Sequence, residues 1–392
     1  MEIRLTKLGN CTIVEIWNRL HIYAAFQKDL GEPQNERHDF TFKEVFQMKK
    51  KLISALLSAT MAASMMMGVT AMAEAPEELD MIYLSCSTAS EFWQYIGIGI
   101  QNAVLDMEEE YGIKINLQTT GPAEESQTEG YVTAFEEAIA AKPDAIVTAT
   151  QVPEATIPKA MEAVAQDIVL NFVNCGLVQG DVTDNADCYN QFYYCSNMSI
   201  GALAAEQALA LMEEKGIEPK GTVAMNYSMV NANGEQRMQG FIDYMAEHAP
   251  EITCTETYYN NNNLEEAQAN VENQISTFGD ELIGIYGGNN ISANGAVLAA
   301  QTAKLGDKAV IIGVDSDATE IQALEDGVLD AIIVQDAYTQ GYEAAKNAIV
   351  TVMEGENPEA EKQVNCEPSA VLQDMMEDEA TKALLDPTLL AR

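Results

Sequence analysis

The sequence predicts an α/β fold made of two doubly wound parallel sheets, one in each of two lobes. Three observations carry this. From residue 80 onward, short apolar runs alternate with amphipathic stretches, strand then helix, as in parallel sheets covered by helices. The strand candidates are continuous apolar runs, such as Val310–Val314 and Ala331–Val334, as sheets buried on both faces require. The alternation breaks once, at 176–197, where Asp, Asn and Tyr crowd together. It then restarts, which divides the series in two.

In the first series, apolar runs at 81–86, 113–118, 145–150 and 168–173 read as strands. The amphipathic stretches between them, 91–110, 127–140 and 156–165, read as helices. Gly97 and Gly99 fall inside the first of these helices and read as packing features. The second series opens with a helix over 200–215. Strands follow at 222–226, 253–259, 282–286, 310–314 and 331–334, interleaved with helices over 235–248, 264–277, 292–303 and 319–326. A helix over 338–353 closes the series and need not belong to the second lobe. The tail, 354–392, is acidic and carries Pro358, Pro368 and Pro387. Its start is expected to cross back between the lobes, and its last twenty or so residues to form a short helix or fray.

Ahead of the fold, residues 48–73 read as a secretory signal peptide. Lys49, Lys50 and Lys51 form a positive start, 52–69 is apolar or small, and Ala71-Met72-Ala73 supplies the small-x-small cleavage pattern. A membrane span is the alternative, but the stretch is short and lacks basic stop-transfer residues. On this reading residues 1–47 are an upstream extension outside the fold. The mature chain begins at Glu74 without a lipid anchor, and the protein is exported, to the periplasm or to the extracellular side and cell surface.

Asp and Glu outnumber Lys and Arg by 61 to 21, a net charge of −40. A chain so acidic does not track nucleic-acid phosphates and is repelled by anionic lipid. After residue 73 only two arginines remain, Arg237 and Arg392, which disfavours a bidentate clamp for carboxylate or phosphate ligands. A neutral polar ligand gains weight. Cys188 and Cys195 lie close enough in sequence to pair across a hairpin-like turn, whereas Cys86 and Cys254 read as buried thiols on strands. No Cys/His cluster suggests zinc. No nucleophile motif, HExxH or phosphate loop suggests an enzyme, so no catalytic residue, metal ligand or cofactor is expected.

Ligands of such sheets sit beyond the carboxyl ends of the strands. After the first strand come Ser90, Phe92 and Trp93. Adjacent aromatics on a helix point about 100° apart, so at least one is expected to face the crevice, where a flat ring suits the C–H face of a sugar. Asn174, Asn289, Asp315 and Gln335 follow later strands. Any one of them could be a helix N-cap, but four stand at equivalent topological positions. Asn262 sits in a run of asparagines after another strand, either a loop feature or a ligand contact.

These segments (87–93, 168–174, 237–241, 286–290, 311–315 and 332–335), in this order behind a signal peptide, resemble the type I periplasmic solute-binding proteins of ABC importers, in the ribose-like sugar-binding branch. The resemblance covers about 80–360. It implies two lobes joined by a three-strand hinge: an N-terminal lobe of 79–197 plus 336–362, and a C-terminal lobe and tail of 198–335 plus 363–392. It matches Phe92 and Trp93 to ring-stacking aromatics, Ser90 to a nearby polar contact, and Asn174, Asn289, Asp315 and Gln335 to polar ligand contacts. Asn262 falls near a position that is often aromatic. The chain departs from the pattern twice. Asn174-Cys175 stands where relatives often carry Asp-Arg. Glu235 stands where they often carry an arginine, and it becomes an acceptor for hydroxyls or a cationic group. Arg237 is expected to anchor local structure. The implied function is a monomeric, exported receptor that closes over a small neutral sugar or polyol and docks on an ABC permease. The alternative is a sensor of the same fold that presents its closed form to a chemoreceptor.

Overall fold

The computed structural model describes residues 76–177 and 186–392, together with two short strands, Lys7–Leu8 and Cys11–Thr12, paired antiparallel within the unit spanning residues 1–73. The expected signal peptide at 48–73 lies outside the described residues, as does most of the upstream extension. Residues 74–392 form the second unit, and the two sheets lie within it.

The first lobe takes strands β1 (Glu78–Leu84), β2 (Lys114–Thr120), β3 (Ala145–Thr148), β4 (Val169–Val173) and β5 (Gln191–Tyr194). Helices α1 (Glu91–Tyr111), α2 (Thr128–Ala140) and α3 (Pro153–Ala165) alternate with them. The second lobe takes α4 (Asn197–Lys215), β6 (Gly221–Tyr227), α5 (Ala232–His248), β7 (Ile252–Tyr259), α6 (Leu264–Phe278), β8 (Leu282–Gly287), α7 (Asn290–Ala303), β9 (Val310–Val314), α8 (Ala318–Glu325) and β10 (Ala331–Val334). The chain then returns: α9 (Ala337–Glu354) and β11 (Gln363–Asn365) join the first lobe, while β12 (Ser369–Leu372) and α10 (Glu379–Leu385) join the second.

Strand order is β2-β1-β3-β4-β5-β11 in the first sheet and β7-β6-β8-β9-β10-β12 in the second. Every pair is parallel except β10 with β12. In each sheet the order reverses beside the lobe's first strand, which opens a crevice at the carboxyl ends. Alternate residues of β10 feed opposite cores: Ala331 and Ile333 pack with α4 and α5, while Ile332 and Val334 pack with α6, α7 and α8. That is why these strands read as unbroken apolar runs.

Three segments cross between lobes: 195–196, 335–336 and 366–368. Cys254, expected to be a buried thiol, is only half-buried on β7, and four further differences from the sequence reading bear on the hinge and the cleft. The polar break at 176–197 contains β5, a fully paired strand whose Phe192 and Tyr193 are buried. Residues 363–365 pair with β5, so they belong to the first sheet rather than the second lobe. Helix α5 starts at Ala232 rather than 235, because Asn231 caps it by accepting from the Gly234 amide. Cys188 is a free, buried thiol, so the pairing considered with Cys195 is not made, and β5 runs extended between the two positions.

Candidate functional site

The carboxyl ends of β4 and β9 and the second crossing converge on one hydrogen-bonded chain. Asn174, just past β4, donates from Nδ2 to Gln335 Oε1 at 3.1 Å. Gln335, in the crossing itself, donates from Nε2 to Asp315 Oδ1, just past β9. The chain therefore runs from the first lobe through the hinge to the second. Its ends are conformationally unusual: Asn174 has φ 57° and Asp315 has φ 79°. Asn and Asp visit this left-handed region more readily than most residues, and such strain clusters at ligand sites. Backbone amides hold the bends, Asn174 N–H on Tyr193 O and Asp315 N–H on Ile333 O.

Phe92 flanks this chain. With Tyr95, Asp315, Ser316, Val334, Gln335 and Pro387 it lines a crevice of about 250 Å³. A second crevice, about 310 Å³, lies between Thr150, Gln151, Cys175 and Gly176 of the first lobe and Asn231 and Asn233 of the second. The lobes touch there, Asn233 Nδ2 donating to Cys175 Sγ at 3.2 Å. Burial, with Glu125 nearby, pushes the Cys175 thiol up to about 12, so it stays an uncharged wall rather than a nucleophile.

Trp93 departs from its expected role. It is only 2% exposed, so its face is not open for stacking. Its Nε1 instead donates to Glu125 Oε1 at 2.5 Å, and its ring meets Phe92 edge-on at 5.3 Å between centroids. Phe92 alone remains as the open aromatic, as the 100° offset between adjacent helical positions allows. Ser90 is the half-buried N-cap residue of α1 and receives no side-chain cap bond there.

The remaining expected residues have structural duties or lie apart. Asn289 caps α7, accepting from the Ser292 amide at 3.2 Å. The next amide, that of Asn290, helps pull the Asp315 carboxyl back down. Asn262 is exposed in the turn after β7, at φ 58°, with its amide on Asn260 Oδ1. Asn260 is the buried member of that run, donating to Ser292 Oγ. Glu235 is exposed in the first turn of α5. The earlier start of that helix makes Asn231 and Asn233 the crevice-lining residues instead.

Arg237 is 4% exposed and turned into the second lobe. It donates to Asn197 Oδ1 at 2.8 and 3.2 Å and to Gly288 O at 2.7 Å, and it lies over the Tyr227 ring at 5.8 Å. It anchors the ends of β6 and β8, and its charge offsets that of Asp315. Burial pushes the Asp315 carboxyl up, while Arg237 and the Gln335 bond pull it back.

Sequence reasoning misses Glu125, Gln151, Asn231 and Asn233. Glu125 and Gln151 follow strands β2 and β3 in loops, and Asn231 and Asn233 are the cap and first turn of α5 after β6, so the strand-end rule points to them. They carry no motif that lifts them above their neighbours.

A family model described as "Periplasmic binding protein domain" matches residues 82–357. Solved structures with the same arrangement include a carbohydrate transporter solute-binding protein from Agrobacterium radiobacter in complex with D-arabinose. It is 24% identical with a TM-score of 0.68, the match covering 79% of this chain and 99% of that one. An ABC transporter solute-binding protein from Agrobacterium vitis bound with α-D-tagatopyranose is 20% identical, TM-score 0.68, covering 78% and 99%. A periplasmic solute-binding protein from Actinobacillus succinogenes with bound D-allose is 24% identical, TM-score 0.66, covering 76% and 99%. At these identities the likeness is one of fold.

Proposed function

The chain belongs to the periplasmic binding protein domain family, and from that premise we propose that it is the exported binding component of an ABC importer. It takes a small sugar or polyol between its lobes, works as a monomer outside the membrane, and presents its closed form to a permease. The observation that carries this is the Asn174–Gln335–Asp315 chain. It places amide and carboxylate groups from both lobes and the hinge at one spot, beside the open ring of Phe92. Amides both donate and accept, and a carboxylate accepts, which suits vicinal hydroxyls. An aromatic face suits the C–H side of the same ring. Because Gln335 belongs to a crossing segment, a ligand that engages it interacts differently with the open and closed arrangements, and that difference shifts the population.

Calorimetric titration with a panel of pentoses, hexoses and polyols tests the reading, with amino acids and polyamines as the competing arm. At least one sugar or polyol is expected to bind, accompanied by compaction in small-angle scattering. Binding confined to the amino acids or polyamines overturns it.

A further inference from the structure

We infer that Cys195 and Cys366 form a reversible disulfide across two of the three crossings between the lobes, a staple that holds the hinge in the arrangement seen here. Only the oxidising setting rests on the export proposed above; the pairing rests on the strands.

Each cysteine opens a crossing. Cys195 follows β5 and starts the first, and Cys366 follows β11 and starts the third. Strands β5 and β11 are parallel neighbours in register: Phe192 stands beside Gln363, Tyr193 beside Val364 and Tyr194 beside Asn365. The next rung is Cys195 beside Cys366, and the ladder reaches it. The Cys366 amide donates to Tyr194 O at 2.6 Å, the bond a residue opposite 195 makes in a parallel ladder. The Ser196 amide donates to Asn365 Oδ1 at 2.9 Å, so the two crossings leave the first lobe side by side.

Parallel neighbours stand about 4.8 Å apart, inside the roughly 4.4–6.8 Å that a disulfide asks between Cα atoms. Residues in register also share a face. The rings of Phe192 and Tyr194 stack at 5.0 Å on one face, which puts Tyr193 and Cys195 on the other. Cys366 joins Cys195 there as Val364 joins Tyr193. Both cysteines carry thiols. Cys195 is buried and Cys366 half-buried, so a small reagent reaches Cys366 first.

The oxidant is a low-molecular-weight disulfide. The Cys366 thiolate attacks one of its sulfurs, the S–S bond breaks, and one small thiolate leaves and takes a proton from water. Cys195 gives its proton to solvent and attacks Cys366 Sγ, and the second small thiolate leaves. Two protein thiols are oxidised to one disulfide, and the small disulfide is reduced to two thiols. Burial first, then Asp336, Glu343 and Glu367, pushes the Cys366 thiol up to about 12, so exchange is slow at neutral pH and quickens as pH rises. Hinge residues absorb the backbone rotation when lobes part. A covalent bond between the first residues of two crossings removes part of that freedom. It keeps the lobes as they are here, touching at Asn233 and Cys175.

The test incubates the full chain with oxidised glutathione at about pH 8.5, where more thiolate is present. Remaining thiols are blocked, the chain is digested without reductant, and linked peptides are weighed. Chymotrypsin cuts the aromatic run at 189–194 and so separates Cys195 from Cys175 and Cys188. A linked pair carrying Cys195 and Cys366, released by dithiothreitol, is expected as the main product. Thiols that stay unreacted, glutathione left on Cys366, or Cys195 linked to another cysteine would overturn the pairing, and this map needs no variant to fold. The ligand-free radius of gyration in small-angle scattering is expected to be smaller for the oxidised chain than for the reduced one, with no such difference in Cys366→Ser. A disulfide that forms and leaves the radius unchanged, or the same shift in Cys366→Ser, would overturn the staple's hold on the hinge.

Discussion

Glu320 lies wholly buried in the first turn of α8, and neither of its carboxylate oxygens has a hydrogen-bond partner among the described residues. Burial first, then the charges of Asp317 and Asp315, push its carboxyl well above the ordinary value of 4.5. The unfolded chain therefore releases this proton at lower pH than the native protein. Below about pH 4.5 both states hold it, and the native state pays no charge penalty. As pH rises toward the native value the unfolded state is favoured, so stability falls, by about 1.4 kcal/mol per pH unit within that window. Glu320→Gln removes the titration. Urea denaturation at several pH values should show wild type losing stability relative to the variant as pH rises, with the gap closing near pH 4.5. Parallel profiles would sink the assignment. The same scale limits what a sequence discloses. Phe92 and Trp93 are legible as an aromatic pair at a strand end, but which ring stays open depends on Glu125, which lies 32 residues beyond Trp93 and takes its indole N–H.

At the scale of elements, each lobe carries a helix pair that crosses at glycines. A Cβ on Gly99 of α1 would stand 2.1 Å from Tyr338 O of α9, and one on Gly341 of α9 would stand 2.1 Å from Ile96 O of α1. In the second lobe Gly201 of α4 and Gly240 of α5 meet Arg237 O and Met198 O in the same reciprocal way. These obstacles are backbone, so they cannot swing aside. Gly99→Ala should cost about 1–3 kcal/mol through forced separation of α1 and α9, read as a lowered denaturation midpoint with little change in slope. An unchanged midpoint would contradict the packing. The main elements are legible because their signals are local: apolar runs such as Val310–Val314 state their own burial. Strands β5 and β11 are not. Gln191–Tyr194 and Gln363–Asn365 are short and partly polar, and they become strands only because β4 offers an edge to the first and the first offers an edge to the second. Similarly, Asn231 beats Glu235 as a crevice residue only once the cap fixes where α5 begins.

At the scale of the molecule, the C-terminal tail ties the lobes by a route separate from the three crossings. Its helix α10 is seated in the second lobe, with Leu385 buried and its carbonyl taking Ser316 Oγ at 2.7 Å. The following residues reach the first lobe. Pro387 is buried and helps line the crevice beside Phe92. Asn102 Nδ2 donates to Leu390 O at 2.8 Å, and Arg392 donates to Asn102 O and to Asp106, which also accepts from the Tyr342 hydroxyl. None of this shows in the tail's own residues, because its partners lie almost the whole fold upstream. A tie that spans both lobes resists their separation, so it biases the hinge toward the closed arrangement. The Arg392–Asp106 pair is half exposed and adds little. The two bonds at Asn102 and the seating of Pro387 matter more, together about 1–3 kcal/mol. A chain ending at Asp386 keeps α10 and loses the tie. Its ligand-free radius of gyration in small-angle scattering should exceed that of the full chain, the ligand-bound values should converge, and sugar affinity should drop several-fold because closure must then be driven by the ligand alone. Equal ligand-free radii and equal affinities would show that the tail merely rests on the first lobe and leaves the hinge to its three crossings.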